Sequence, residues 1–260
     1  MSDYNTAASL DLFSLKGKIA LITGGGSGIG FHIAQCLVQA GAKVVITGRR
    51  EAVLQEAIAA LGSGSRYFVN DITDLKSIPA LVEEIEINVG EIDILVNNAG
   101  INMKKHAVEV TDEDFDRIIQ TNLHAVFSIT REVGKKMVER KRGSIIMITS
   151  MAALYGIDRV VAYTASKSAI GGMVKALTTE FSPYNVRVNA IAPGFIETPM
   201  MLNAMGGDPA RRDKAMDRTP MGIWGKPDDI GWAAVFLASE AAKFITGVQL
   251  PVDGGNSVGF

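Results

Sequence analysis

The chain has 260 residues, of which 47% are hydrophobic and 21% charged, and its formal net charge is −2. It is long enough to bury one substantial core, and with no global positive field nucleic acid is excluded as the main partner. One cysteine, Cys36, leaves no intrachain disulfide. No run approaches the roughly 18 consecutive apolar residues of a membrane span. The amino-terminal residues show no basic start followed by a long apolar run, so a cytoplasmic location is expected.

Apolar, β-rich runs alternate with amphipathic segments of helical length. KIALIT (18–23) reads as a buried strand, followed by a glycine-rich loop and a helix through FHIAQCLVQA (31–40), where Cys36 is a small core residue. Gly41 stops that helix and AKVVIT (42–47) begins the next strand. A helix near 50–61, the strand RYFVN (66–70), a helix near 74–89 and the strand DILVNN (93–98) follow. One long helix is expected from Asp112 to Arg140, with Thr111 as its N-cap and Asp114 three residues on. The basic runs Lys135-Lys136 and Arg140-Lys141-Arg142 read as a solvated helix end. The strand GSIIMIT, a helix around 162–181, the strand VRVNAIA, the helix PDDIGWAAVFLAS and the short strand GVQLPVD complete the chain.

Continuous apolar strands separated by helices predict an α/β fold, a doubly wound parallel sheet covered by helices on both faces. In such folds the ligand crevice lies beyond the strand carboxyl ends. The segment from Gly194 to Pro227 breaks the rhythm with prolines, glycines and methionines, which suggests a functional lid or binding loop at about 195–225. Residues 1–14 read as a flexible arm and 15–260 as one domain.

LITGGGSGIG (21–30) departs from the dinucleotide spacing G-x-G-x-x-G, because Gly24, Gly28 and Gly30 read T-G-x-x-x-G-x-G. Its context still suits a phosphate: a strand precedes it and a helix follows, so helix-start amides face an anion. Asn97, Asn98, Ala99 and Gly100 close another strand, and Asp71 follows a third. Ser150 ends a strand, while Tyr163 and Lys167 stand one helical turn apart on one face. An ammonium near a phenol favours phenolate, so Lys167 is expected to lower the Tyr163 pKa and fit it for proton transfer.

TGGGSGIG, NNAG, QTNLHAVF, ITSMAALYG, YTASK and APGFIET stand in the order and spacing of the short-chain dehydrogenase/reductase family, which the chain resembles from about Leu15 to Gly255. The resemblance implies a Rossmann-type domain with a catalytic set of Asn122, Ser150, Tyr163 and Lys167. Tyr163 would exchange the proton with the substrate oxygen and Ser150 would orient that oxygen. Lys167 would hold the nicotinamide ribose, and Asn122 would help anchor a water between Lys167 and solvent. The implied cofactor contacts are Gly24, Gly26, Ser27, Gly28, Ile29 and Gly30 in the loop, and Arg49, Asp71 and Ile72 beyond it. They continue through Asn98, Ala99 and Gly100, then Tyr163 and Lys167, to Pro193, Gly194, Ile196 and Thr198. Gly48 takes the position where NAD-preferring relatives carry Asp, and Arg49 follows it, which favours NADP(H) with NAD(H) possible. Ser27 is a counter-signal, since many NADP enzymes of the family carry Arg or Lys there.

Lys104 and Lys105, after NNAGI, are candidates to pair with a substrate carboxylate, and Arg159 is a further cation near Tyr163. His106 suits a polyol hydroxyl and His124 is expected to pack near Asn122; no metal site is expected. Met200, Met201 and Met205 suit a flexible lid. DLFSLKGK and TPMGIWGKPDDI resemble the gluconate 5-dehydrogenase and related sugar-acid enzymes, so a small sugar acid or polyol is the first substrate expectation. YTASKSAIGGM and VNAIAPGFIETPM suit 3-oxoacyl-(acyl-carrier-protein) reductases equally, and a non-catalytic dinucleotide-binding protein is the remote alternative. The resemblance further implies a homotetramer with contacts through helix 112–140, the helix after Tyr163 and the carboxyl tail.

Overall fold

The computed structural model describes residues 11–199, 201, 202, 207 and 209–259, except the Arg211 side chain. Seven strands make one sheet: β1 (Ile19–Thr23), β2 (Lys43–Gly48), β3 (Arg66–Val69), β4 (Ile94–Asn97), β5 (Gly143–Ile148), β6 (Val186–Pro193) and β7 (Gln249–Val252). They lie in the order β3-β2-β1-β4-β5-β6-β7, every neighbouring pair parallel. The winding reverses between β1 and β4, so a crevice opens beyond their carboxyl ends.

Neighbouring residues of a strand serve opposite faces. Ile22, Ile46, Ile146 and Ile191 pack on one side, against helices α1 (Gly28–Gln39), α2 (Glu51–Leu61) and the later Pro227–Ala238. Leu21, Val45, Leu95 and Ile145 pack on the other, against α3 (Ile78–Asn88) and two long helices of the second half. Both faces are therefore dry, which explains why the strands read as apolar runs rather than alternating ones.

The expected helix 112–140 is two helices, α4 (Asp112–Ile119) and α5 (Ala125–Arg140), joined by a wide turn over Gln120–His124 in which the Ala125 N–H bonds to the Gln120 carbonyl. Thr111 caps α4 as expected, its hydroxyl accepting from Asp114 N at 3.2 Å. Several basic residues at this helix end are paired as well as solvated. Lys136 meets Glu83 at 2.9 Å, Arg140 meets Glu86 at 2.9 Å, and Arg142 meets Asp93 at 3.3 Å. Glu83 and Glu86 belong to α3, which lies beside α5, and Asp93 directly precedes β4.

α6 (Val161–Phe181) follows β5. The irregular stretch after β6 contains a helix, α7 (Pro209–Asp217), and α8 (Pro227–Ala238) precedes β7. Part of the expected arm is docked: the Leu12 carbonyl accepts from Ala241 N at 3.1 Å, and the Phe13 and Phe236 rings lie 6.3 Å apart. Residues 1–10 lie outside the described residues.

α1 and α8 cross where Gly231 meets Cys36. Cys36 is a core residue as expected, 2% exposed, and burial together with Asp228 pushes its thiol up to about 11. A Cβ at Gly231 would overlap the Cys36 sulfur and stand 3.0 Å from the His32 carbonyl oxygen. Gly231→Ala is therefore expected to destabilise the protein by about 1–3 kcal/mol through overpacking, seen as a Tm several degrees lower. An unchanged Tm would contradict this close crossing.

Candidate functional site

The glycine loop joins β1 to α1. Gly24 and Gly28 adopt φ of +65° and +55°, conformations open mainly to glycine. A Cβ on Gly24 would press Ala99 Cα at 3.1 Å, and one on Gly30 would overlap the Asn98 amide and meet the Gly24 carbonyl oxygen at 2.5 Å. These glycines let two loops touch through their backbones. Thr23, not singled out in the sequence, is what joins them. Its hydroxyl accepts from the Asn98 and Ala99 amides, each at 3.1 Å. Asn98 Nδ2 in turn donates to the Thr23 and Gly24 carbonyls, each at 3.1 Å. The available signal was a hydroxyl at the last position of a buried strand. Ser27 is the exposed N-cap of α1 and makes no side-chain capping bond, so its hydroxyl and the first-turn amides face outward toward any anion there.

Gly48 ends β2, and a Cβ there would meet only Leu54, at 3.4 Å. That is ordinary contact, so packing does not dictate the lack of a carboxylate. Exposed Arg49 follows it and lies near Asp71. The Asp71 carboxylate accepts from the Thr73 hydroxyl at 2.7 Å and from the Thr73 amide at 3.0 Å. Those bonds, then the Arg49 charge, hold its pKa below the usual value. Ile72 packs against the second core cluster.

Ser150 follows β5 and caps a short helical turn, accepting from Ala152 N at 3.2 Å. Its side chain also bonds the Tyr163 phenol. Lys167, one turn along α6 and 4% exposed, donates to the Ile148 carbonyl at 2.7 Å and stands 5.7 Å from the Tyr163 ring centroid. Asn122 sits inside the wide turn after α4, fully buried. Its carboxamide accepts from Ile101 N at 2.8 Å and donates to the Ile101 carbonyl at 2.8 Å and to Ser166 Oγ at 3.2 Å. A wide turn re-aims one residue without ending the helix, and here it turns Asn122 onto the strand-end loop.

The expected lowering of the Tyr163 pKa is corrected. Tyr163 keeps part of its surface exposed, yet enough protein surrounds its phenol for desolvation to dominate and raise its pKa, with the Ser150 bond a partial offset. Lys167 does not supply the opposing pull because its ammonium is turned to the Ile148 carbonyl. Burial instead loosens the proton of Lys167, whose pKa falls to about 8. Both shifts favour the uncharged form of their group.

Beyond β6, the Gly194 amide bonds to the Val252 carbonyl at 2.9 Å, and a Cβ at Gly194 would stand 2.6 Å from Asp253 Cα. Ile196 is buried and bridges to Gly225, and Thr198, 9% exposed, accepts from Met201 N at 3.2 Å. Met200 and Met205 lie outside the described residues.

The substrate candidates fare unevenly. Lys105 is committed to Asp114 at 2.8 Å, and its amide bonds to the Arg159 carbonyl at 2.8 Å. Lys104 and His106 are exposed. Arg159 is exposed, with φ of +62° and Nε 3.7 Å from Asp158. His124 does not pack against Asn122; the wide turn directs it outward, where Nδ1 lies 3.0 Å from the Gln120 side-chain oxygen.

A family model described as enoyl-(acyl carrier protein) reductase matches residues 24–257. The chain is 41% identical over 250 residues to 2-dehydro-3-deoxy-D-gluconate 5-dehydrogenase of Pseudoalteromonas atlantica, which covers 95% of this chain and 98% of that protein. It is 38% identical over 245 residues to 3-oxoacyl-(acyl-carrier-protein) reductase of Thermotoga maritima, covering 93% and 98% respectively. The solved gluconate 5-dehydrogenase of Burkholderia cenocepacia, in complex with NADP and tartrate, matches with a TM-score of 0.92 at 36% identity, over 97% of this chain and 100% of that one. Fold and relatives together define an oxidoreductase of Rossmann type. The chain belongs to the short-chain dehydrogenase/reductase family.

The depressed Lys167 pKa has a consequence for stability. The unfolded chain binds this proton up to about pH 10.4, whereas the folded chain releases it near pH 8. Burying the ammonium therefore opposes folding fully below pH 8, and the penalty fades as pH rises through that window. In chemical denaturation without cofactor, the stability of wild type relative to Lys167→Met is expected to rise between about pH 8 and 10.4. A difference that stays flat across that range would show that Lys167 is not desolvated.

Proposed function

We propose that the protein transfers a hydride between NADP(H) and a secondary alcohol, or the matching ketone, of a sugar acid. The observation that carries this reading is the convergence of a glycine phosphate cradle with Ser150, Tyr163 and Lys167 at one edge of one sheet. The residues present fit a dinucleotide. Gly24 and Gly30 hold space that a Cβ would fill, and the α1 amides meet the diphosphate. Arg49 would hold the adenosine phosphate, with glycine rather than a carboxylate at the preceding Gly48. Asp71 and Ile72 border the adenine side, Asn98 to Gly100 the ribose, and Pro193 to Thr198 the nicotinamide end. The bound nicotinamide supplies or accepts the hydride.

The chain's own groups do the rest. Tyr163, held neutral, donates its proton to the substrate oxygen in reduction and accepts it in the reverse direction. Ser150, already bonded to that phenol, orients the same oxygen. Lys167 would hold the ribose hydroxyls of the bound dinucleotide. Asn122 holds the backbone at Ile101 and borders the solvent path to Lys167. Lys104 and Lys105 would pair with the substrate carboxylate.

The catalytic domain runs from residue 15, with 195–225 as its substrate loop, and works as a cytoplasmic homotetramer. Exposed Phe127 on α5 and Val161 on α6 support helix-face contacts between subunits. The Thermotoga maritima relative favours a second reading, reduction of a carrier-bound 3-oxoacyl group. A net charge of −2 disfavours it, since an acidic carrier docks best on a basic face.

Purified protein should turn over gluconate or a ketogluconate with NADP(H) faster than polyols or acetoacetyl thioester, and faster than with NAD(H). Arg49→Ala should weaken NADP binding about tenfold or more and leave NAD unaffected. Activity on the thioester alone would sink the sugar-acid assignment, and an unchanged NADP affinity would sink the role of Arg49. Tyr163→Phe should lower kcat by about 10²–10⁴ with NADP binding retained; full turnover in that variant would remove the catalytic assignment.

A further inference from the structure

A second polar cluster lies at the junction of three segments distant in sequence. Tyr155 follows the Ser150 turn, its amide bonded to the Met151 carbonyl at 3.1 Å. Its hydroxyl donates to Asn256 Oδ1 in the carboxyl tail. Asn256 is fully buried, and its Nδ2 donates to Thr219 Oγ1 at 3.0 Å and to the Ala215 carbonyl at 3.3 Å. Arg218 stacks over the Tyr155 ring, 4.1 Å from its centroid, while its Nε donates to the Asn256 carbonyl at 3.0 Å. The tail itself is fixed by Asp253, which accepts from Gly255 N at 2.9 Å and Ser257 N at 2.6 Å.

Each member is bonded to at least one other segment, and the arrangement closes on itself. The Ser150 turn holds the tail, the tail holds the end of α7, and the end of α7 stacks back on the Ser150 turn. The Met221 amide adds a bond to the Gly254 carbonyl at 3.1 Å. The opposite end of the same loop is pinned separately, by the Gly225 amide to the Phe195 carbonyl at 3.0 Å.

The geometry points to Tyr155, Arg218 and Asn256 as positioning residues that fix the α7 end of the substrate loop relative to Ser150 and so set the affinity for the carbonyl substrate. This inference rests on the assignment of 195–225 as the substrate loop. Buried amides and stacked guanidinium groups define one geometry because alternative arrangements leave polar groups unpaired. A substrate held between Ser150 and α7 feels the spacing of those two walls, whereas the glycine loop and the Asn98 loop, which would hold the diphosphate and ribose, are bonded to each other rather than to this cluster.

Two variants separate positioning from simple stabilisation. Tyr155→Phe keeps the ring beneath Arg218 and removes only the hydroxyl bonded to Asn256. Arg218→Lys keeps the charge and removes the planar stack. Each is expected to raise KM for the carbonyl substrate about five- to tenfold, with kcat within about twofold and the NADP Kd unchanged. The double variant should raise KM by clearly less than the product of the two, because both break the same closed cluster. Amides of Met221 and Gly222 should exchange hydrogen faster in either variant, a readout that needs no turnover. A lower Tm with KM and exchange both unchanged would overturn the proposal. The assays use whichever substrate the wild type turns over best, so a wild type active only on the thioester would defeat the sugar-acid assignment and still test the cluster.

Discussion

The bonds between Thr23 and Asn98 hold together the two strand ends on which the site depends. One buried hydroxyl accepts from two consecutive amides, and one carboxamide bonds back to two carbonyls. They join β1 to β4 at the one place where the winding of the sheet reverses. Glycine is required at Gly24 and Gly30 because any side chain there would occupy the space of Asn98 or Ala99. The altered spacing of the loop follows from this contact. It lets α1 start close against a second strand-end loop and not only against a phosphate.

Burial sets the acid–base character of the same edge. Lys167 and Tyr163 share a poorly hydrated environment, and desolvation acts on them in opposite senses, lowering the ammonium pKa and raising that of the phenol. Both shifts favour the neutral form, which is the form each group needs if no countercharge is present. A lysine four residues from a tyrosine does not by itself make a phenolate. Where the ammonium points decides the matter, and here it points to a backbone carbonyl at 2.7 Å. The ammonium has three N–H donors and this bond uses one, so it can keep the carbonyl while taking a further partner.

The legibility of the chain follows the range of the interactions. The strands and most helices were readable because they rest on local periodicity, and the order of strand and helix was enough to predict a parallel sheet. Ser150, Tyr163 and Lys167 were readable because a strand end and one helical turn bring them together. Helix 112–140 misled because its wide turn leaves the hydrophobic pattern almost intact; only the burial of a polar Asn122 in mid-helix betrays it. The pairing of Lys105 with Asp114 and of α5 with α3 depends on which elements become neighbours, which spacing along the chain does not encode. Thr23 was missed because a threonine at a strand end is also an ordinary strand residue.

The two ends of the crevice are therefore built on different principles. The dinucleotide end uses glycines and backbone amides of consecutive residues, so it leaves a compact signature. The opposite wall uses side chains from three segments, with Tyr155, Arg218 and Asn256 meeting across up to 101 residues of chain. Each of those residues is unremarkable in its own stretch of sequence, and only their closure on one another has meaning. The glycine loop is bonded instead to Asn98 at the end of β4, so the side chains of either end can change while the bonds of the other stay in place.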